Sequence, residues 1–124
     1  MTVLAYGSKA VVGRIESLLV DRGVKVMAIA NNITNPKYLR SLDKFDELDL
    51  VVVDTDKTGA ELLCRYFGKL RHIPVVLLVN GNKADWAKIC LHEASAYIPR
   101  GAGNAELAAR LKNVLERTSG WGKC

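Results

Sequence analysis

Two apolar runs without polar alternation are the feature of this sequence that most restricts its fold. Residues 50–53 read Leu-Val-Val-Val, and residues 73–79 carry no polar side chain. A strand with one solvated face alternates apolar and polar residues, so strands of this kind should be covered on both faces. Such strands are typical of parallel sheets, whose crossover connections place helices on both sides.

Strand-like and helix-like segments alternate along the chain. Ser8 is the predicted N-cap of the first helix and Gly23 its C-terminal glycine, while Asn35 and Asn104 are predicted caps of the second and fifth helices. The predicted strands are residues 2–6, 24–30, 50–53, 73–79 and 97–98. The predicted inner faces of the five helices are Val11, Val12, Ile15, Leu18 and Leu19; Tyr38, Leu39 and Leu42; Leu62, Leu63, Tyr66, Phe67 and Leu70; Trp86, Ile89 and Cys90; and Leu107, Ala108, Leu111, Val114 and Leu115. These five βα units predict one doubly wound α/β domain, with strand order 2-1-3-4-5 or a Rossmann order.

The length and composition fit one globular domain without a membrane span. A chain of 124 residues can bury a core without metals or disulfides. No apolar run reaches the roughly 18 to 20 residues that a transmembrane helix needs. The N-terminus also lacks the features of a secretion signal, so we expect a cytoplasmic protein.

The three cysteines do not indicate a metal site. Cys64 and Cys90 lie in helical apolar patterns, and Cys124 is the last residue. Neither histidine has ligand-like spacing to a cysteine. We therefore expect Cys64 and Cys90 to be buried as small apolar residues.

The basic charge is spread over the chain apart from one acidic segment. The net charge is +5, from 18 Lys and Arg against 13 Asp and Glu, and residues 43–56 hold six of the acids with one base. The sequence shows neither aromatic interleaving nor a helix-turn-helix pattern, so this charge favours acidic partners only weakly. We do not expect the domain to bind nucleic acid on its own.

The carboxyl ends of the strands are where functional residues of a parallel sheet should lie. In chain order these ends are Tyr6-Gly7, Ala30-Asn31, Asp54 to Asp56, Val79-Asn80 and Pro99-Arg100. Asp54 has two interpretations at this stage. It is either an acid that takes part in chemistry or a strand-end carboxylate that caps the next helix or pairs with Arg100.

Several stretches, in this order and spacing, resemble the receiver domain of bacterial two-component response regulators. They are Asp-Leu-Val-Val-Val-Asp at 49–54, Gly-Ala-Glu-Leu-Leu-Cys-Arg at 59–65, His-Ile-Pro-Val-Val-Leu-Leu at 72–78, Glu-Ala-Ser-Ala-Tyr-Ile-Pro-Arg at 93–100, and Glu-Leu-Ala-Ala-Arg-Leu at 106–111. The resemblance implies a flavodoxin-like (βα)5 fold with strand order 2-1-3-4-5 over residues 1–117. Residues 118–124 would then be a flexible tail or linker stub.

The resemblance also implies a phosphoryl site. In receivers, an aspartate ending strand three accepts the phosphoryl group, and two acids ending strand one help it hold magnesium. A hydroxyl residue and a lysine bind the phosphoryl oxygens. Asp54 stands at the acceptor position, and Tyr6 and Gly7 stand where the two acids would be. Val79 replaces the hydroxyl residue and Arg100 the lysine.

These replacements weaken the implied site. Magnesium prefers an octahedral set of hard oxygens, so with the acid pair absent we expect no bound cofactor. Asp54 together with Asp56 is the remaining candidate for a metal site. Asn80 is a partial substitute for the missing hydroxyl, and Arg100 can still bind a phosphate, although its geometry is not that of lysine.

The leading interpretation is an atypical receiver domain in two-component-type signal transduction, a pseudo-receiver and not an enzyme. It would act mainly as a protein-interaction module, with weak or no phosphoacceptor activity at Asp54. The resemblance implies that the fourth helix, fifth strand and fifth helix bind a protein partner or a second copy of the chain. Trp86, Tyr97 and Arg110 are suitable anchors on that face.

Two alternatives belong to other functional classes. Residues 6–13 follow a strand, begin a helix and contain glycines at positions 7 and 13, which favours a Rossmann-like nucleotide-binding domain. The middle glycine of the phosphate-binding motif is missing, however. A basic accessory domain that contacts nucleic acid requires the positive charge to gather on one face. A small enzyme is not indicated, because no nucleophile–base pair or metal motif is visible.

Overall fold

The computed structural model describes most of the strands and three of the predicted helices. The described residues are 2–20, 23–29, 48–54, 59–70, 72–79, 96–99 and 101–118. The predicted helix that begins after Asn35, the predicted helix that contains Trp86, and the tail beyond Thr118 lie outside these ranges. No helix within the described ranges is long and apolar enough to cross a membrane.

The described strands form one sheet in which every neighbouring pair is parallel. The strands are β1 Thr2–Tyr6, β2 Lys25–Ile29, β3 Leu48–Asp54, β4 Val75–Val79 and β5 Ala96–Pro99. Their order is β2-β1-β3-β4-β5. The flavodoxin-like order 2-1-3-4-5 is thus confirmed, and the Rossmann order is excluded. All carboxyl ends of these strands lie at one edge of the sheet, and Tyr6, Gly7, Asp54 and Val79 lie at that edge.

β3 begins at Leu48, two residues before the predicted start. The polar residue Asp49 interrupts the apolar run, but its Oδ2 accepts a hydrogen bond of 2.8 Å from the backbone N–H of Thr2. This bond lies where the pairing between β1 and β3 shifts register. A polar side chain inside the strand is tolerated because the neighbouring strand β1 supplies a hydrogen bond to it.

Helix α1 spans Lys9–Leu19 and confirms the predicted cap and inner face. Ser8 has an extended backbone and its Oγ accepts a 3.3 Å hydrogen bond from the N–H of Val11. Gly23 has φ of 71°, a left-handed conformation that glycine adopts without steric cost. Val12, Ile15 and Leu19 are buried, as the spacing predicted.

The third predicted helix has a form that the periodicity did not predict. It begins as an α-helix, Ala60–Leu63, and continues as a π-helix over Cys64–Leu70, and we call the two parts together α2. Leu63, Cys64 and Phe67 are buried, whereas Leu62 and Tyr66 are half-buried. Tyr66 and Phe67 contact each other edge to face, with ring centroids 5.1 Å apart. The wider turn leaves the apolar residues on one side, so the helix still covers the sheet.

Helix α3 spans Asn104–Thr118 and is the fifth predicted helix. Its five predicted inner residues are buried: Leu107, Ala108, Leu111, Val114 and Leu115. Glu106 pairs with Arg110 at 3.0 Å and Lys112 with Glu116 at 3.8 Å, both on the solvated side. The predicted amphipathic pattern of this helix is confirmed.

Two apolar clusters cover the two faces of the sheet. What we call the α1/α3 face consists of Val3, Ala5, Leu50, Val52, Val76, Leu78 and Ile98 packed against Val12, Ile15, Leu19, Leu107, Leu111, Val114 and Leu115. What we call the α2 face consists of Leu4, Tyr6, Val51, Val53, Val75 and Leu77 packed against Ala60, Leu63, Cys64 and Phe67. Successive residues of each strand alternate between the two faces. The prediction that both faces are covered is therefore confirmed.

Candidate functional site

Asp54 is a buried carboxylate at the carboxyl end of the central strand. Its exposed fraction is 4%, and it is the one buried charged residue among those whose burial the structure describes. It follows Leu50 and Val52 at alternate positions of β3, so its side chain leaves the sheet on the α1/α3 face. The sequence therefore placed this acid correctly at the strand end.

Gly7 approaches Asp54 so closely that position 7 has little room for a side chain. Tyr6 pairs with Val53, which brings the next residue, Gly7, beside Asp54. A Cβ on Gly7 would lie 3.0 Å from Val11 Cγ1 and 3.1 Å from Asp54 Cβ. Gly7 has no positive φ, so space and not backbone conformation makes glycine suitable here. On this side, the Cβ of Asp54 faces the bare backbone of Gly7, and Val11 borders the same space.

Tyr6 and Val79 lie on the opposite face of the sheet from Asp54. Tyr6 is fully buried within the α2-face cluster. Val79 is half-buried and packs against that same cluster, while Leu78 is the residue that pairs with Asp54. Of the described residues predicted to form the pocket, the structure brings only Gly7 directly against Asp54. Alternation along β1 already implied this separation, because Tyr6 and Gly7 are adjacent residues.

The remaining predicted pocket residues lie outside the described ranges. These residues are Asp56, Asn80 and Arg100. Within the part of the chain that the structure describes, no group of three or more His, Cys, Asp or Glu side chains is arranged to hold a metal ion. The suggested pairing of Asp54 with Asp56 in a metal site stays a prediction, as does the phosphate-binding role of Arg100.

Two of the three predicted surface anchors are joined across β5 and α3. Arg110 donates from Nη2 to Glu106 Oε1 at 3.0 Å and from Nη1 to the backbone oxygen of Tyr97 at 3.5 Å. Its side chain is 45% exposed, so this contact leaves part of the guanidinium at the surface. Trp86, the third anchor, lies outside the described residues.

Arg14 is a bridging residue that sequence reasoning missed. Its Nε donates a 2.8 Å hydrogen bond to Asn104 Oδ1, and its Nη2 donates to the backbone oxygen of Ala102. Arg14 thus joins α1 to the connection between β5 and α3. Its partners lie about ninety positions away in the sequence, so no local pattern could have revealed them.

Comparison with known proteins identifies the fold. No protein-family model and no curated protein sequence matches the chain. A response regulator receiver domain protein from Clostridium thermocellum superposes with a TM-score of 0.75 at 20% identity, covering 95% of this chain and 96% of that one. A response regulator from Thermotoga maritima gives 0.74 at 19% identity, with coverage of 93% and 97%. An orphan response regulator of H. pylori gives 0.69 at 23%, with coverage of 93% and 96%.

The superpositions cover nearly the whole of this chain and nearly the whole of each of the three structures. Identities this low show the fold and not the roles of individual residues. The chain has the fold of a response-regulator receiver domain.

Proposed function

We propose that this chain is an atypical receiver domain of two-component-type signal transduction that acts mainly through protein contacts. Its phosphoacceptor activity at Asp54 is weak or absent. The observation that carries the proposal is the setting of Asp54, a carboxylate 4% exposed beside Gly7 and Val11. The receiver resemblance implies acids at the end of β1, but the chain has Tyr6 and Gly7 there.

This setting is unfavourable for phosphoryl transfer to Asp54. Such a transfer brings negative charges together, and a metal ion or cationic side chains normally offset that repulsion. Asp54 is the one carboxylate at the described strand ends, and magnesium needs several hard oxygen ligands. The described residues therefore do not fit a magnesium site.

The surface of β5 and α3 supports the interaction role. The half-exposed Arg110 of α3 reaches the backbone oxygen of Tyr97 there, and arginine is a residue that commonly anchors protein interfaces. We propose that this surface binds a protein partner or a second copy of the chain inside the cytoplasm. The described part of α3 pairs its charges as Glu106–Arg110 and Lys112–Glu116, so it gives no support to a basic nucleic-acid surface.

The phosphoacceptor part of the proposal is tested by intact mass after incubation with acetyl phosphate and magnesium. We expect no gain in mass under conditions in which an ordinary receiver gains one phosphoryl group, about 80 Da. The Asp54→Asn variant is the matched control. A gain of that size in the native protein and not in Asp54→Asn would show that Asp54 still accepts phosphate.

The interaction part is tested by sedimentation of the chain over a range of concentrations. If a second copy is the partner, Arg110→Glu should weaken self-association. Arg65→Glu is the control, because Arg65 is a similarly exposed arginine on α2 that pairs with Glu61 in its own helix. Equal effects of the two charge reversals would contradict a specific role for the β5 and α3 surface.

A further inference from the structure

Helix α1 contacts both the Asp54 edge and the start of α3. Val11 and Arg14 are three positions apart, so they lie on the same side of the helix. Val11 Cγ1 and Asp54 Cβ together border the space beside Gly7. One turn further along, Arg14 donates hydrogen bonds to Asn104 and Ala102. A single rigid helix thus connects the two places.

Two of the three residues at positions 101–103, in the connection that Arg14 holds, are glycines without a side chain. A Cβ on Gly101 or on Gly103 would meet nothing within 4 Å, so neither glycine is packed against its surroundings. Ala102 is fixed by burial in the α1/α3-face cluster and by its N–H bond to Pro99 O at 3.0 Å. The guanidinium of Arg14 adds a rigid two-point tie between this connection and α1.

We propose that α1 couples the state of Asp54 to the start of α3, with Arg14 as the positioning residue. The inference rests on the proposed function, in which β5 and α3 carry the partner contacts. A close-packed interior transmits a change of charge or volume to its neighbours, so a change at Asp54 shifts Val11 and with it α1. Arg14 then shifts Asn104, which lies two positions before Glu106, the residue that pairs with Arg110.

This route does not need the hydroxyl residue that the receiver resemblance implies at the end of β4. Val79 stands there, and its side chain cannot form a hydrogen bond. Val79 also packs on the α2 face, away from Asp54. The coupling through α1 instead uses residues that lie on the same face as Asp54.

The test is a set of amide NMR spectra of the full chain. Asp54→Asn changes one charge at the strand end, and we expect it to shift the amide resonances of residues 103–107. In an Arg14→Gln background, we expect those differences to fall to less than half. If Arg14 were merely structural, its replacement would move the resonances but leave the Asp54→Asn differences unchanged.

Two controls sharpen the experiment. Arg65→Gln makes the same substitution on α2 and should leave the Asp54→Asn differences at residues 103–107 intact. Arg14→Lys keeps the positive charge but loses the planar pair of donors of the guanidinium, so it should give an intermediate effect. It is also the variant to use if Arg14→Gln fails to fold. Undiminished differences in the folded Arg14 variants, or no differences in the native background, would overturn the proposal. No phosphodonor or partner is used, so the result is independent of whether the proposed function is correct.

Discussion

The two faces of the sheet are equally covered but are held together differently. On the α1/α3 face, Arg14 joins α1 to the connection that leads into α3, and the carboxylate of Asp54 is buried at the strand end. On the α2 face, Arg65 forms an ion pair with Glu61 at 2.8 Å, and this pair lies within one helix. The apolar contacts between the α2 helix and the sheet centre on Leu63 and Phe67.

This difference indicates a division of roles. Apolar packing alone supplies stability that depends little on which particular side chains meet, whereas hydrogen bonds between distant elements fix relative positions. We therefore expect substitutions on the α2 face to change mainly stability. Substitutions on the α1/α3 face should also change how the ends of the helices lie relative to Asp54.

The largest expected effect comes from Phe67→Ala on the α2 face. Phe67 is fully buried, so its truncation leaves a cavity and should lower the free energy of unfolding by about 3–5 kcal/mol. Denaturant unfolding followed by circular dichroism measures this loss. Arg65→Ala on the exposed side of the same helix is the control, with an expected cost below about 1 kcal/mol. Similar losses for both would contradict a packed α2 face.

A pair of glycine substitutions should act in opposite directions on the α1/α3 face. Gly7→Ala places a methyl group 3.0 Å from Val11 Cγ1, so we expect destabilisation by about 1–3 kcal/mol. Gly13→Ala adds a methyl group inside α1 with nothing within 4 Å, so we expect stabilisation by about 0.5–1 kcal/mol. Thermal unfolding of both variants measures the difference. The comparison fails if Gly7→Ala is the more stable of the two.

Arg14→Gln removes the tie between α1 and the start of α3. The bonds to Asn104 and Ala102 involve a charged donor but are partly solvated, so we expect a loss of about 1–2 kcal/mol in unfolding free energy. Arg65→Gln should cost about 0–0.5 kcal/mol, because its exposed ion pair is screened by water. Urea titrations of the two variants in parallel provide the measurement. Equal losses would remove the distinction between the two faces.

The smallest effect is expected at the start of α1. Ser8→Ala removes the N-cap, whose 3.3 Å bond is exposed, and should cost about 0.5–1 kcal/mol. Ser17 donates from Oγ to the backbone oxygen of Gly13 at 3.0 Å within the helix, so Ser17→Ala should be neutral or slightly stabilising. Thermal unfolding again separates them. A larger loss for Ser17→Ala would show that α1 is not capped in the way the structure indicates.

Local patterns predicted most of the fold, because strand alternation and helix spacing are local properties. The inner faces of α1 and α3 and the strand-end position of Asp54 were all visible in short windows of sequence. The early start of β3 was missed because Asp49 accepts its hydrogen bond from the N–H of Thr2, which belongs to another strand. The π-helical turn was missed because its apolar residues fit an α-helical pattern equally well.

The site was less predictable than the fold. The resemblance assigned Tyr6 and Gly7 to one pocket, yet adjacent strand residues face opposite sides of the sheet, and Tyr6 lies on the α2 face. The tight contact of Gly7 with Asp54 depends on strand pairing, and the bonds of Arg14 depend on the packing of distant segments. Neither leaves a signal in the local sequence.

The pairing of β1 with β3 has a consequence for the order of folding. Val3 of β1 pairs with Val26 of β2 and with Leu50 of β3, and Val51 of β3 pairs with Val75 of β4. Val3 and Leu50 are the farthest apart in sequence, so the β1–β3 pairing closes the longest loop of the three. Each doubling of loop length adds about 0.6 kcal/mol of closure entropy. We expect the first two strands to form one early unit and the last three another, with β1 and β3 joining afterwards. Gly7 and Asp54 lie where these two units meet, as do Arg14 and Asn104. Partly folded chains would therefore lack the edge at which Gly7 meets Asp54, and only the completed domain would have it.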